Sequence, residues 1–478
     1  MRGVDVETVR SPDRVTVAVL CGIAWLPIAF VRDGYTWDDW VFASLSPSEI
    51  REWHRQIARV FPLSAEVFIW QGSQGVRLGT VIAIVVTGLA VQRVLGRFGV
   101  LRRDELVLVA VLTSVNPLDT SKSMLCTAAY TWSLTLFFVG WALLVSRRWW
   151  VLALPLLFLS YDTSSLLFFA VLPLADLMFF GHTWRHRAVR VRIAALSITV
   201  VLFAVVRFFI RTPEGSYEGY NSVGLFGLTF MFAGLAAVVL LTVGLLRGRG
   251  LREQFVSGGT LLAATGVVLI LVGLIPYVAD RNFPPYLATE TRHYLLVGLG
   301  LGVTLVGVSR SLALVVGLRK MRDVMIRGIV AAALLFVWFN GFLSLEHWRF
   351  TDEVSDAVEA ADIPRGSLVL VSYEETPAVY LTRRLGPNYA NSWYVWTNIV
   401  DRGRDNAILA VFEDQYPKYL EGRFASAFGS QRGLWGVDGF EPSTAAVRLR
   451  IDSVGGLLGF FSAYEVLVSE IEVELPRG

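Results

Sequence analysis

The chain has 478 residues, of which 54% are hydrophobic and only 17% charged, with a formal net charge of +3. A soluble chain carries roughly 25% charged residues, so this composition excludes an ordinary soluble domain and indicates a polytopic membrane protein. The small net charge, with no basic block interleaved with aromatics, excludes nucleic acid as a partner. The two cysteines, Cys21 and Cys126, give neither a disulfide framework nor a metal spacing, and they read as small hydrophobes.

Residues 1–14 are polar and end at an apolar run, Val15 to Val31, which reads as a retained first membrane span. The segment Asp33-Gly34-Tyr35-Thr36-Trp37-Asp38-Asp39-Trp40 follows it directly. Adjacent carboxylates at an apolar boundary repel one another and lose hydration, which raises their pKa values. A membrane enzyme needs such a pair to set a general base beside a lipid-borne substrate; an acidic cap on a surface helix is the plainer alternative. The pair is expected at an exposed rim, where Asp→Asn leaves folding intact. Further along this loop, Ser46-Pro47-Ser48-Glu49 is a capping box with proline at the first helical position. Ile50, Trp53, Ile57, Val60 and Phe61 recur at helical spacing after it. Such a helix either lies in the membrane interface or packs on other loops.

Apolar runs then follow at 78–96, 105–118, 127–146, 149–162, 164–181, 193–210, 224–246, 256–279, 294–317 and 326–345, giving eleven spans in all. Arginines gather in alternate connections: Arg93 to Arg103, Arg147 and Arg148, Arg185 to Arg192, Arg247 to Arg252, and Arg319 to Arg327. Basic loops stay on the cytoplasmic side, which puts the N-terminus inside. The segments 32–77, 116–126, 160–165, 211–223, 280–293 and the tail from Glu346 then lie outside. These hold nearly all the loop Asp, Glu, Asn and Tyr.

Within those segments Asp162 interrupts an apolar stretch, and Asp119 and Lys122 are spaced to pair. Arg207 lies near the outer end of a span, where a charge is either functional or snorkels to the surface. Arg281, Glu290, Arg292, His293 and Tyr294 cluster before the span at 294–317, at the depth of a lipid headgroup. Guanidinium binds two phosphate oxygens at once, so these residues are candidates for a lipid phosphate, with aromatic-belt anchoring the equal alternative. His54 is a lone histidine on the loop helix. His182 and His186 lie at helical spacing on the basic side without a nearby carboxylate and are not read as a metal site. Beyond residue 346 the chain changes character: an acidic helix, Asp352 to Asp362, precedes strand-like runs at 367–372, 408–412, 445–451 and 464–475. This predicts a small α/β domain over 346–478, free of glycine-rich phosphate loops and nucleophile elbows.

The retained first span, the long outer loop opening with Trp37-Asp38-Asp39-Trp40, its helix, the span count and the small outer C-terminal domain together resemble the GT-C superfamily of integral-membrane glycosyltransferases. The bacterial glucosyltransferase and mannosyltransferase members with an Asp-Asp-Trp loop are the most similar. The resemblance implies a multi-pass protein of the bacterial plasma membrane that takes a sugar from a polyprenyl-phosphate donor and passes it to an extracytoplasmic glycan, lipid or protein of the cell envelope. It puts the catalytic acid on Asp38 or Asp39. Two adjacent carboxylates also suit Mg²⁺ or Mn²⁺, while one acid with several arginines works without metal; the residues leave both open. A flippase of similar build and a non-catalytic assembly scaffold are the competing readings. A flippase requires ionisable groups at mid-membrane and paired discontinuous helices, whereas here the polar residues gather at one rim and no repeat is visible.

Overall fold

The computed structural model describes residues 14–31, 35, 39–56, 60–146, 148–163, 165–180, 187–209, 259–279, 294–316, 319–361, 363, 367–373, 393–400, 409–413, 416, 446–456 and 463–471. The span expected at 224–246 lies outside these residues. The chain is mostly helical, with one small mixed sheet near its C-terminus.

The helices in order are α1 (Arg14–Ala29), α2 (Asp39–Ser44), α3 (Pro47–Gln56), α4 (Leu63–Gly96), α5 (Arg103–Val115), α6 (Ala128–Leu144), α7 (Trp150–Ser160), α8 (Ser165–Phe169), α9 (Val171–Phe180), α10 (Arg187–Phe209), α11 (Gly259–Ala279), α12 (Val297–Val316) and α13 (Arg319–Ala360). Among the described residues four helical stretches are long and apolar enough to cross a membrane: Leu63–Gly96, Arg187–Arg207, Val297–Leu314 and Met321–Ala360. Shorter apolar helices stand beside them, over Arg14–Ala29, Ala128–Leu144, Trp150–Ser160 and Gly259–Leu274.

Long-range hydrogen bonds sort the two ends of this bundle. At one end the carboxylate of Asp39 reaches the turn after α5, Asn116 Nδ2 donates to the Tyr294 carbonyl (2.7 Å), and Ser344 Oγ donates to Ser123 Oγ (3.2 Å). At the other end Arg192 donates to the Leu144 carbonyl (2.9 Å), and Arg310 Nε donates to Glu105 Oε1 (2.8 Å) in a buried ion pair. Glu105 does double duty, since its other oxygen accepts from the Arg102 backbone N–H (2.7 Å) and closes the first turn of α5. The varied polar residues therefore meet at one end, and arginines crowd the opposite one.

The run expected at 164–181 is broken at Ala170 into α8 and α9, α10 begins at Arg187 ahead of the run expected at 193–210, and α4 and α13 extend furthest beyond the expected runs. α4 starts fifteen residues before the apolar run at 78–96, and it bends at Gly72, whose φ of 65° is left-handed and whose ψ is non-helical. Glycine permits that bend without a Cβ clash. The acidic helix expected at 352–362 is the far end of α13, which runs unbroken for 42 residues. No proline or glycine falls between Phe342 and Ala360 to stop it. At 1.5 Å per residue it is about 60 Å long, roughly twice the hydrocarbon thickness, so it carries the bundle directly into the C-terminal domain.

α11 and α12 cross closely because glycines face each other. A Cβ on Gly266 would strike Thr304, and one on Gly307 would strike the backbone of Ala263. Small residues allow such approach between apolar helices. Gly298 and Gly302, on another face of α12, admit α5 at Leu112 and Val109.

The expected strands form β1 (Leu368–Tyr373), β2 (Leu409–Phe412), β3 (Ala446–Val454) and β4 (Ala463–Ile471), with a helix α14 (Trp393–Val400) between β1 and β2. The sheet order is β2-β1-β3-β4; β1 pairs in parallel with β2 and β3, and β4 closes it antiparallel to β3. Alternate residues Val369, Val371, Val447, Leu449 and Ile451 pack on Phe350, Val354 and Val358, one turn apart on α13, and on Trp396 and Ile399 of α14. Because α13 runs away from the bundle and β1 returns, the C-terminal edge of the parallel strands faces back. Phe350 touches Trp396 (6.0 Å) and Tyr464 (4.8 Å), and Tyr464 pairs with Ser453 at the end of β3.

Candidate functional site

Asp39 opens α2 and is fully buried, at 0% exposure. One carboxylate oxygen accepts the Leu125 N–H (3.0 Å) and the other the Cys126 N–H (2.9 Å). The exposed rim expected for this residue is thereby corrected: the chain between α5 and α6 folds over the carboxylate and supplies the donors. The local cause is a buried 3₁₀ turn, Thr120–Ser123, braced by Thr127 Oγ1 donating to the Ser121 carbonyl. Burial pushes the Asp39 pKa up to about 6; the two N–H bonds and the charge of Arg77 pull it down and lose. An acid poised there is ionised at neutral pH yet readily protonated, the range a general base or its partner needs. Asp38 lies outside the described residues.

Arg77 enters from α4 and is 1% exposed. Its Nη1 donates to the Val31 carbonyl (2.7 Å), just after α1, and its guanidinium lies 4.6 Å from the centroid of the Trp348 ring on α13. One cation thus joins three segments next to the acid. Beside Trp348, His347 is 4% exposed, and its Nε2 has no hydrogen-bond partner among the described residues. Asp119 and Lys122, read as a possible pair, do pair (3.0 Å) and are both buried in the 3₁₀ turn.

The C-terminal domain reaches this end of the bundle. α14 packs against α2. Tyr35 packs on the sheet-domain core and also on the contact between Val76, Leu125 and Ala128. The site therefore sits at the junction of bundle and domain. The loop helix α3 is fixed there too: its capping box is formed, with the Ser46 N–H donating to Glu49 (2.7 Å) and the Glu49 N–H to Ser46 Oγ (3.4 Å). Ile50 packs with Phe42 of α2 and Ala65 of α4, and Arg51 forks onto both oxygens of Glu66 (2.7 and 2.9 Å). His54 is buried edge-on against Phe42 and bonds the Ile50 carbonyl (2.9 Å), a packing role.

Of the other candidates, Asp162 accepts the backbone N–H groups of Val60 (2.7 Å) and Phe61 (3.3 Å), which ties the end of the first loop to the turn after α7. Tyr294 is half-buried and gives its carbonyl to Asn116. Arg207 is half-buried in the last turn of α10. Arg281, Glu290, Arg292 and His293 lie outside the described residues. A small apolar void lined by Thr113, Phe137, Phe169 and Leu296 includes neither Asp39 nor Arg77 in its wall. Among the described residues no group of three or more His, Cys, Asp or Glu could hold a metal ion. Each Asp39 oxygen accepts one backbone N–H.

Arg77 and His347 were missed in the sequence. Arg77 stands one residue before the apolar run at 78–96, at the end of the segment 32–77, and a charge this close to a span is itself a signal. His347 lies in Glu346-His347-Trp348-Arg349, a polar run whose neighbours only the continuous α13 reveals.

No family model matches the chain, and no curated protein matches it either.

Proposed function

We propose that this chain is a membrane glycosyltransferase of the GT-C kind, with about eleven spans, which transfers a sugar from a polyprenyl-phosphate donor to a hydroxyl of a cell-envelope acceptor on the extracytoplasmic face. The observation that carries the reading is Asp39: a wholly buried carboxylate with a pKa near 6, next in sequence to Asp38, at the polar end of an apolar bundle. A purely structural carboxylate gains nothing from a second acid beside it, because like charges raise each other's pKa. A base does gain, since the fixed anion of Asp39 makes Asp38 more basic.

In the step this implies, Asp38 takes the proton of the acceptor hydroxyl as its oxygen bonds to the anomeric carbon. The bond from that carbon to the donor phosphate breaks, and the polyprenyl phosphate leaves with the electron pair. Arg292, His293 and Arg281, with Glu290 and Tyr294 beside them, are the proposed partners of the departing phosphate; Arginine suits that charge by binding two oxygens. The acceptor is proposed to enter between α2 and the sheet domain. The C-terminal edge of the three parallel strands faces that side, and this is the edge where parallel sheets hold ligands.

Asp38→Asn tests the assignment, with transfer from a polyprenyl-phosphate sugar measured on normally expressed protein. Loss of a positioned base lowers the rate by about 10²–10⁴. Turnover close to that of the unaltered protein would remove Asp38 from the mechanism.

A further inference from the structure

α13 carries a buried polar stripe, and the transfer step uses none of it. Asn340, Ser344, His347 and Thr351 follow one another at helical spacing on one face, and all four are buried. Three of them have protein partners: Asn340 Nδ2 donates to the Phe336 carbonyl (2.9 Å), Ser344 Oγ to Ser123 Oγ (3.2 Å) and Thr351 Oγ1 to the Trp348 carbonyl (3.0 Å). His347 Nε2 and Asn340 Oδ1 have no partner among the described residues. A buried polar atom left unmatched costs folding free energy, so it marks a place where a ligand completes the bonding. We propose that His347 Nε2 binds a hydroxyl of the acceptor and so helps to determine which acceptor is used. The inference rests on the transfer reaction proposed above and adds a contact on its acceptor side.

Contacts on three sides place His347 at the junction. Ser344, one turn earlier, bonds Ser123, and just beyond Ser123 the N–H groups of Leu125 and Cys126 hold Asp39. Trp348, next in the chain, lies over the Arg77 guanidinium. The His347 ring is 6.5 Å from that of Phe350, and Phe350 touches Trp396 of α14 (6.0 Å). α14 in turn packs on α2, the helix that Asp39 opens. This is the side, between α2 and the sheet domain, by which the acceptor is proposed to enter.

The chemistry of this wall selects a hydroxyl over a phosphate. Its cations are already engaged: Arg77 bonds the Val31 carbonyl, Arg349 bonds Glu346 (3.0 Å) and Lys122 bonds Asp119. A phosphate is best met by cationic donors. A hydroxyl both donates and accepts, so it matches Nε2 in either tautomer of the imidazole. Asn340 Oδ1, two turns deeper on the same face, is an acceptor and suits a hydroxyl or a water equally. A site built to bond a substrate hydroxyl rejects the analogue that lacks it, because the buried atom then stays unmatched.

Two variants separate binding from packing. His347→Leu removes the ring nitrogens at similar volume, and His347→Gln returns a polar group near the position of Nε2. Transfer from a polyprenyl-phosphate sugar to glycan extracted from the cell envelope is measured with each substrate varied in turn. In His347→Leu the KM for the glycan is expected to rise about three- to tenfold, the loss of one neutral hydrogen bond. The kcat and the KM for the donor are expected to change little, and His347→Gln to recover most of the loss. The unfolding midpoint of His347→Leu in detergent is expected to match or exceed that of the unaltered protein, since the nitrogen removed has no described partner. A second readout needs no turnover: methyl hexosides and methyl pentosides are expected to raise the midpoint of the unaltered protein and of His347→Gln, but not of His347→Leu. A protein with no transfer but with that His347-dependent rise would sink the transferase reading and leave the hydroxyl site standing. An unchanged glycan KM in His347→Leu, a rise confined to the donor KM, or a midpoint rise that His347→Leu shares would each overturn the proposal. So would a lowered midpoint in His347→Leu, the mark of a structural histidine. No transfer and no midpoint rise would also overturn it, leaving Nε2 to a water alone.

Discussion

Asp39 combines two opposing residue-scale effects, and their balance has a measurable sign. Its folded pKa of about 6 lies above its ordinary 3.8. Between those values the folded protein holds a proton that the unfolded chain has released. Stability therefore falls as pH rises through this window and levels off above it. The two-unit difference corresponds to about 3 kcal/mol. The unfolding midpoint of the protein relative to Asp39→Asn is thus expected to drop between about pH 4 and about pH 7, and a flat difference would refute the buried anion. At neutral pH Asp39→Asn itself is expected to change stability little. It relieves the burial of a charge while turning an amide N–H₂ toward a backbone donor, a loss on the order of 1–3 kcal/mol.

Elements explain where the sequence was legible. The first residues of the four strands were legible to within a residue, because β1 and β2 are short continuous apolar runs and β3 alternates apolar with polar side chains, both local signals. The capping box of α3 was equally local, since Ser46 and Glu49 are three residues apart. Burial of Asp39 was not legible, because its two donors belong to Leu125 and Cys126, more than eighty residues on. The merging of the last apolar run with the acidic helix was hidden for another reason: composition changes at Glu346 while the helix does not. The Gly266 and Gly307 contacts are also non-local, and they give a sharp test. Gly266→Ala places a Cβ against Thr304 of α12. Overpacking of this kind costs about 1–3 kcal/mol, so thermal unfolding in detergent is expected at lower temperature. Gly328→Ala, where a Cβ meets nothing within 4 Å, serves as the control and is expected to be neutral or slightly stabilising.

At the scale of the whole molecule, one continuous helix runs from the bundle past the site to the sheet. α13 gives Ser344 to the 3₁₀ turn, Trp348 to Arg77, and Phe350, Val354 and Val358 to the sheet. The C-terminal edge of the sheet and the turn that binds Asp39 are thus both attached to α13. That arrangement suits a reaction between a membrane-borne donor and an acceptor arriving from the aqueous side, and the nature of the donor is its most exposed claim. Purified protein in lipid nanodiscs, offered a radiolabelled sugar first on polyprenyl phosphate and then on a nucleotide, measures it directly. The account predicts transfer to envelope-derived acceptor from the polyprenyl-phosphate sugar and none from the nucleotide sugar. Transfer from the nucleotide sugar with no polyprenyl carrier present would contradict it.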